Sequence, residues 1–442
     1  MGYGYDVQIE GKKPVTTLSP DQETARTAIH RALRNGQRFV TLAGAAGTGK
    51  TTLLKVLLDD LSNQQRAVSL MAPTAKAALR MREVTGRPSA TLHSQLYARV
   101  MEDAADEGSD ESAIQEALRA VTNPRESRRK LRFLEPQSLV GPGELAIIDE
   151  ASMVGKMIHN DIEATLAPDA QVLYVGDHAQ LAPVNDTWGA NLQCPDARLE
   201  QVHRQALDNP IIAYATAVRE GWGSDWLREN YTGSDWRLQV IKGTLPDAVE
   251  YMHQIESNGF TSDTAMITWT NEDRALMNTR MRVLKGFTDV LLVGDRIRIK
   301  ENTASGFVNG EVRTIVECAR DHRPTIFQDT VFNIRVNGSD EILRVVPALF
   351  ESDRGFREMK DAQRGNNKSV ARGKRDMRKF TQVTYGQCLT AHAAQGSQYE
   401  AVCAYLNPRF ASGWARDKAQ MSRLLYTIAT RATKVLCIVS AT

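Results

Sequence analysis

Gly44-Ala-Ala-Gly-Thr-Gly-Lys-Thr51 constrains this chain more than any other stretch. It follows a short apolar run, Phe39 to Ala43, and leads into a pattern with Leu53, Leu54, Leu57, Leu58 and Leu61 on one helical face. Strand, glycine loop, helix is the context in which the G-x-x-x-x-G-K-[ST] spacing signals phosphate binding. The glycines let backbone N–H groups turn inward around phosphates, and the helix N-terminus adds its positive dipole end. The cradle comprises Gly44, Ala45, Ala46, Gly47, Thr48, Gly49, Lys50, Thr51 and Thr52. Lys50 is placed to reach the outer phosphates, and the Thr51 hydroxyl to sit on Mg2+. The chain therefore reads as a nucleoside-triphosphate binder. What the nucleotide drives has to come from elsewhere in the sequence.

At 442 residues the chain is too long for one ordinary core, so two or more domains are expected. The formal net charge is only +2, which does not by itself announce a nucleic-acid partner. Five cysteines, with no C-x-x-C pair, argue against a zinc site or a disulfide framework and fit a reducing compartment. Met1 to Lys13 lacks an apolar signal core, and no apolar run is long enough to span a membrane. A cytoplasmic protein without a membrane partner is expected.

Along the chain, residues 1–17 read as an irregular leader. Ser19 and Pro20 then open a helix, with Ala25, Ala28, Ile29 and Ala32 at helical spacing. Gln22 has two readings, a solvated helix-start residue or a carboxamide matched to the edge of adenine. A second apolar run, Ala67 to Met71, ends in Ala72-Pro-Thr-Ala-Lys-Ala-Ala78, which puts Pro73 and Thr74 on the same sheet edge as the phosphate loop. Leu145-Ala-Ile-Ile148 reads as a buried parallel-type strand ending in Asp149-Glu150. An Asp at that strand end can hold Mg2+, and the following Glu can orient and deprotonate the attacking water. The strand Gln171 to Val175 ends in Gly176-Asp-His-Ala-Gln180, with Gln180 placed to sense the terminal phosphate. Asp177 and His178 read as structural, because no nucleophile accompanies them.

Two insertions interrupt this pattern. Residues 99–137 carry seven acids and no base from Glu102 to Glu116, then a cluster at Arg125, Arg128, Arg129, Lys130 and Arg132. This is either a solvated polar insertion or a lobe touching a polyanion. Between Leu291 and Phe380 the helical period gives way to short β-like pieces with turn signals at Asn309-Gly310 and Asn337-Gly338, which reads as a small β-barrel. Arg354 to Lys379 then holds ten bases against three acids, a solvated face or a guide for a DNA strand. Apolar runs flanking this insertion, Ala265 to Thr268, Val402 to Leu406 and Val435 to Val439, make a second α/β sheet.

The ordered set APTAKAA, DEASM, GDHAQLAPV, Leu199-Glu-Gln-Val-His-Arg-Gln205, Asn209-Pro-Ile-Ile212, Trp269-Thr-Asn271, Thr390-Ala-His-Ala-Ala-Gln-Gly-Ser-Gln398 and Arg423-Leu-Leu-Tyr-Thr-Ile-Ala-Thr-Arg-Ala432 resembles the superfamily-one DNA helicases, in their RecD/Dda branch. The resemblance runs from Gln22 to Arg431. It implies an α/β fold with two RecA-like P-loop motor domains. The first is residues 1–190 with a wedge lobe near 99–137; the second is 191–290 plus 381–442. An SH3-like β-barrel at 291–380 is inserted in the second. It makes Gln22 the adenine reader, Thr51 and Asp149 the Mg2+ ligands, Glu150 the water activator and Gln180 the phosphate sensor. Arg204 and Arg431 become arginine fingers, and the Gly396 backbone lies close to the nucleotide. For DNA it nominates Pro73, Thr74, His93, Thr270, Asn271, Thr390 and His392, groups suited to single strands with little sequence preference. Trp188 and Trp269 either stack on bases or pack in the core. The implied activity is ATP-dependent unwinding with 5′-to-3′ movement on single-stranded DNA. The rivals are an ATPase that remodels protein–nucleic-acid complexes without unwinding and a non-catalytic DNA-binding subunit, the latter opposed by the intact set Lys50, Asp149, Glu150, Arg204 and Arg431. Expected partners are single-stranded DNA, duplex junctions and a single-strand-binding or replication protein, acting on a monomer.

Overall fold

The computed structural model describes residues 17–97, 136–183, 186–202, 209–222, 235–260, 263–300, 307, 309–321, 331–346 and 381–441. The leader over 1–16, the acidic and basic stretches of the first insertion, Arg204 and the basic run 354–379 lie outside the described residues.

The first lobe is built on α1 (Pro20–Arg34), β1 (Phe39–Gly44), α2 (Lys50–Asn63), β2 (Val68–Ala72), α3 (Ala75–Thr85), β3 (Ser89–Thr91), α4 (Leu92–Leu96), β4 (Leu145–Ile148), α5 (Lys156–Thr165), β5 (Gln171–Gly176) and β6 (Ala197–Leu199). Its six strands lie in the order β3-β2-β4-β5-β1-β6, and every pairing is parallel. The two-residue strand period sends Val40, Leu42, Ile147 and Leu173 to one face, against the leucines of α2. Ala43, Ile148, Val172 and Tyr174 go to the other face, against Ile162 of α5. Both faces are covered, so the strands read as continuous apolar runs.

The second lobe continues through α6 (Pro210–Arg219), β7 (Leu238–Lys242), α7 (Leu245–Ser257), β8 (Thr264–Thr268) and α8 (Asn271–Leu284). Next come four strands of a separate sheet: β9 (Arg296–Ile299), β10 (Val312–Asp321), β11 (Val331–Val336) and β12 (Ile342–Val345). The chain then runs through β13 (Val383–Tyr385), β14 (Cys388–Thr390), α9 (Ala391–Ala394), β15 (Tyr399–Leu406), α10 (Pro408–Arg416), α11 (Lys418–Ala429) and β16 (Ala432–Ser440). The second parallel sheet has the order β14-β8-β15-β16-β7. Its faces pack on α6 and α11 on one side and on α7 and α8 on the other. The third sheet, β12-β11-β10-β9-β13, is wholly antiparallel. It encloses its own core around Ile297, Ile315, Phe332, Ile334 and Val345. Its two outer strands approach each other where the Thr381 N–H donates to the Arg344 carbonyl at 2.8 Å.

Strand membership departs from the expected segments in two places. Residues 197–199, placed beyond the first lobe by a boundary at 190, form β6 and pair with β1. Residues 383–385, placed with the second parallel sheet, form β13 and pair with β9. Both strands are three residues long, too short to carry a visible period. The Asp196 carboxylate anchors β6 by accepting from both the N–H and the hydroxyl of Thr41, each at 2.8 Å.

α1 is clamped to α2 by Asp60, which accepts from Arg26 Nε and Nη2 at 2.7 Å each and lies 2.9 Å from His30 Nε2. The Arg26 guanidinium, helped by His30 and opposed by burial, holds the Asp60 carboxyl below its usual range. The folded value is the lower one, so this contribution is present above the unfolded pKa and is lost as pH falls through the folded one. Arg26 is about a third exposed, so screening limits the pair. Asp60→Asn is expected to cost about 1 kcal/mol in urea melts at pH 7. The difference from the parent should shrink in acid.

Candidate nucleotide cleft and its lips

The glycine loop leaves β1 and enters α2 with two residues in the left-handed region, Gly47 at φ 80° and Gly49 at φ 78°. A side chain at either would be strained. Gly44 is needed for room, since a Cβ there would lie 2.7 Å from Thr48 Oγ1. Lys50 Nζ donates to the carbonyls of Gly44 at 2.6 Å and Ala45 at 3.0 Å, and the buried Thr48 hydroxyl donates to Ala45 at 2.9 Å. Thr51 is exposed on the first turn of α2 and, like Lys50, lines a cavity of about 400 Å³.

Asp149 and Glu150 line the same cavity at the carboxyl end of β4. Burial first, and then the charge of Glu150, push the Asp149 carboxyl up to about 6, while Lys50 and Arg80 pull it down. A half-buried acid pair beside a phosphate loop is a site that a divalent cation stabilises. Thr51 and Asp149 therefore fit the Mg2+ role. Among the described residues no cluster of three or more His, Cys, Asp or Glu side chains is arranged to hold a metal. Glu150 has φ 52°, a left-handed conformation unusual outside glycine. Such strain persists where the surroundings fix a side chain's direction. Gln180 reaches the cavity after β5, and its buried Oε1 has no protein partner.

The opposite wall comes from the second lobe. Gly396, Gln398 and Thr430 to Thr433 line it. Arg431 is 3% exposed and held at three nitrogens. Nε donates to the Thr427 carbonyl at 3.1 Å, Nη1 to the Ser397 carbonyl at 3.1 Å and Nη2 to the Thr430 hydroxyl at 3.0 Å. Burial lowers its pKa. Gly396 has φ 69°, and a Cβ there would meet Ala77 Cβ at 2.9 Å and Thr74 Oγ1 at 3.0 Å. Glycine is thus required both for conformation and for the approach of the second lobe to α3.

Gln22 is not solvated. It is 2% exposed, its Oε1 accepts from the Ser19 N–H at 2.9 Å, and its Nε2 donates to the Gly49 carbonyl at 3.2 Å. The carboxamide buttresses the phosphate loop through this last bond. Thr52 follows Thr51 on α2, half-buried.

The nominated DNA residues fall at strand-to-helix junctions. Thr74, Thr270 and Thr390 are helix N-caps, accepting from Ala77, Asp273 and Ala393 N–H groups. Pro73 precedes the first of these, and Asn271 opens α8 with its Oδ1 accepting from Arg274 at 3.3 Å. His93 lies on α4, its Nε2 buried without partner, and burial pushes its pKa down to about 4. It is therefore neutral and offers no charge to a phosphate. Burial also lowers His392. Trp269 packs against the second-lobe core, while Trp188 lies under the Arg423 guanidinium, 4.8 Å from its ring centre.

Three features were not singled out from the sequence. Arg80 lines the cleft one turn beyond Ala77 on α3. Thr427 accepts from the Leu181 N–H at 3.0 Å, and Tyr426 reaches both Asp177 and the phosphate loop. The signal for the last two lay inside the stretch 423–432, at adjacent positions of the helix that leads to Arg431.

Comparison with known proteins bears on these features. The AAA domain family matches residues 17–232. The ATP-dependent RecD2 DNA helicase of Deinococcus radiodurans is 27% identical over 441 residues, covering 98% of this chain and 50% of the relative. The ATP-dependent DNA helicase dda of Enterobacteria phage T4 is 24% identical over 302 residues, covering 64% of this chain and 61% of the relative. The chain thus spans about half to three-fifths of the length of these two curated relatives. Among solved structures, a Pif1 helicase from Bacteroides in complex with ADP-AlF3 and ssDNA matches with a TM-score of 0.50 and 16% identity, over 96% of this chain and 92% of that one. At that identity the likeness concerns the fold alone: two parallel-sheet α/β lobes.

Proposed function

We propose that this chain, similar over nearly its whole length to the RecD/Dda branch of superfamily one, is an ATP-dependent DNA helicase that translocates on single-stranded DNA. One observation carries the reading. A single cleft takes its phosphate loop and acid pair from the first lobe and Arg431 from the second. Nucleotide in that cleft is bound by both lobes at once, so its arrival and hydrolysis change how they sit.

In this scheme the loop amides and Lys50 hold the phosphates, and Thr51 and Asp149 hold Mg2+. When bound, Mg2+ would neutralise charge on the outer phosphates. Glu150 accepts the proton of the attacking water, Gln180 hydrogen-bonds the terminal phosphate without adding charge, and Arg431 offsets charge on the transferring group, a role that Arg204 shares. Gln22 keeps the loop in shape and presents its amide toward the base. DNA runs along the strand-end junctions at Pro73 and Thr74, His93, Thr270 and Asn271, and Thr390 and His392, which belong to different lobes. Their relative displacement is the step.

Finer assignments belong to the same proposal. Movement is 5′-to-3′. The antiparallel sheet is an SH3-like barrel, a reading favoured by the Thr381–Arg344 bond between its outer strands. The wedge lobe and the basic guide segment complete the strand-separating machinery of a cytoplasmic monomer that works with a single-strand-binding or replication protein. Among the described residues no helix is long and apolar enough to cross a membrane.

Duplexes carrying either a 5′ or a 3′ single-stranded tail test this with and without ATP. Unwinding from the 5′ tail alone is the expected result. Unwinding from the 3′ tail alone contradicts the polarity. DNA-stimulated hydrolysis with no unwinding of either substrate favours a remodelling ATPase.

A further inference from the structure

Ala45 and Ala46 share one peptide plane, and that plane is gripped from both sides. Its carbonyl accepts from Lys50 Nζ at 3.0 Å and from the Thr48 hydroxyl at 2.9 Å. Its N–H, on the other edge, donates to the Tyr426 hydroxyl of the second lobe at 2.9 Å. Tyr426 in turn donates to Asp177 Oδ2 at 2.6 Å, while Asp177 Oδ1 accepts from the Ala179 N–H at 3.0 Å. Tyr426 and Asp177 are only 2% and 1% exposed, so water does not replace either partner. Burial and the Asp177 carboxylate push the Tyr426 phenol well above its ordinary value, which keeps its proton in place as the donor.

The same helix makes the neighbouring contacts. Thr427 accepts from the Leu181 N–H, and Gln395 donates to the Leu181 carbonyl at 3.2 Å. Ala179 and Leu181 are buried inside the second-lobe core. α11 then ends at Ala429, two residues before Arg431. The phosphate loop, the segment after β5 and the helix leading to the arginine are therefore joined by one buried polar chain.

Phosphates compete with the Gly44 and Ala45 carbonyls for the Lys50 ammonium, and a bond between two ionised groups wins over one in which only the donor is charged. A peptide unit is planar, so a change at the Ala45 carbonyl is felt at the Ala46 N–H. The hydroxyl on that N–H either follows or leaves a buried donor unpaired, which is costly. We propose that Tyr426 is a positioning residue that carries the state of the phosphate loop into α11, and so couples nucleotide binding to lobe arrangement. The inference rests on the nucleotide-site reading and goes beyond it, naming the link between phosphate and motion.

Tyr426→Phe tests it, because the ring stays and only the hydroxyl goes. Affinity for a fluorescent oligothymidylate is measured with and without AMP-PNP and Mg2+, alongside melting temperature and the ratio of DNA-stimulated to basal ATP turnover. The parent's nucleotide-dependent change in oligothymidylate affinity is expected to shrink about tenfold, within the span of site-to-site couplings. The turnover ratio should fall with it. Asp177→Asn keeps a hydrogen-bonding group against Tyr426 and should retain most of the coupling. A Tyr426→Phe protein that melts earlier yet keeps both coupling and ratio overturns the proposal, since the hydroxyl is then only structural. A parent whose oligothymidylate affinity ignores AMP-PNP overturns it too. A parent that hydrolyses no ATP would sink the helicase reading instead, and the AMP-PNP titrations would still judge Tyr426.

Discussion

Lys50→Ala is expected to abolish DNA-stimulated ATP turnover while binding to single-stranded DNA stays measurable. The ammonium lies within the glycine loop, bonded to the Gly44 and Ala45 carbonyls, at the cleft where loop amides and the α2 N-terminus converge. Removing it takes away the one cation that the loop itself contributes to the outer phosphates. Loss of such a preorganised electrostatic group costs on the order of a hundredfold to a thousandfold or more in turnover. The loop keeps its shape, because Thr48 still bonds the Ala45 carbonyl and Gln22 still bonds the Gly49 carbonyl. The groups nominated for DNA stand at other strand ends, on β2, β8 and β14, so their contacts do not pass through Lys50. Steady-state hydrolysis with oligothymidylate, paired with fluorescence anisotropy, measures both. Normal turnover in the variant would overturn the site assignment. Loss of DNA binding together with turnover would mean that Lys50 supports the fold rather than the phosphates.

The strand–loop–helix unit that carries the glycine spacing is legible because each of its parts is local. The run Phe39 to Ala43, the glycine spacing and the leucine stripe of α2 all lie within one strand–loop–helix unit, and the structure places them as β1, loop and α2. Leu145 to Ile148 stood out for the same reason, since a strand covered on both faces must be apolar at every position. β7 is different. It is an edge strand of the second sheet with alternating burial and no continuous run to read. β6 and β13 are shorter still, and only their hydrogen-bonded neighbours tell which sheet each joins.

Contacts far apart in sequence stayed hidden. Asp177 was read as structural, and its carboxylate is indeed tied up internally, by the Ala179 N–H and by a tyrosine 249 residues away. Nothing local marks Tyr426 as that partner, because an apolar-looking position on a buried helix is the ordinary place for an aromatic ring. Gln22 carries two readings from sequence, solvated or facing adenine. The first does not hold, because the carboxamide is buried and bonded to the helix cap and the loop carbonyl. Thr74, Thr270 and Thr390 are nominated for DNA by the resemblance alone. The structure gives each a structural reason to be threonine, since each caps a helix N-terminus.

Arg431→Ala is expected to lower turnover on the order of a thousandfold while changing ATP affinity far less. The guanidinium is a poor choice for mere packing. It is buried, desolvation works against its charge, and three of its nitrogens are spent on carbonyls and a hydroxyl of its own lobe. In the proposed scheme a buried cation held in place at such cost, on the wall opposite Asp149 and Glu150, is preorganised for charge that develops during phosphoryl transfer. Ground-state binding rests on the first lobe's loop, which the substitution leaves intact, so the Michaelis constant should move little. Arg431→Lys should recover little of the loss, because an ammonium on a flexible stem cannot keep three fixed bonds and still face the cleft. Single-turnover hydrolysis alongside equilibrium titration of AMP-PNP separates the two effects. A variant with weakened nucleotide affinity and unchanged turnover would show that Arg431 only holds the ground state. The second lobe's share in catalysis would then have to come from another residue of its wall.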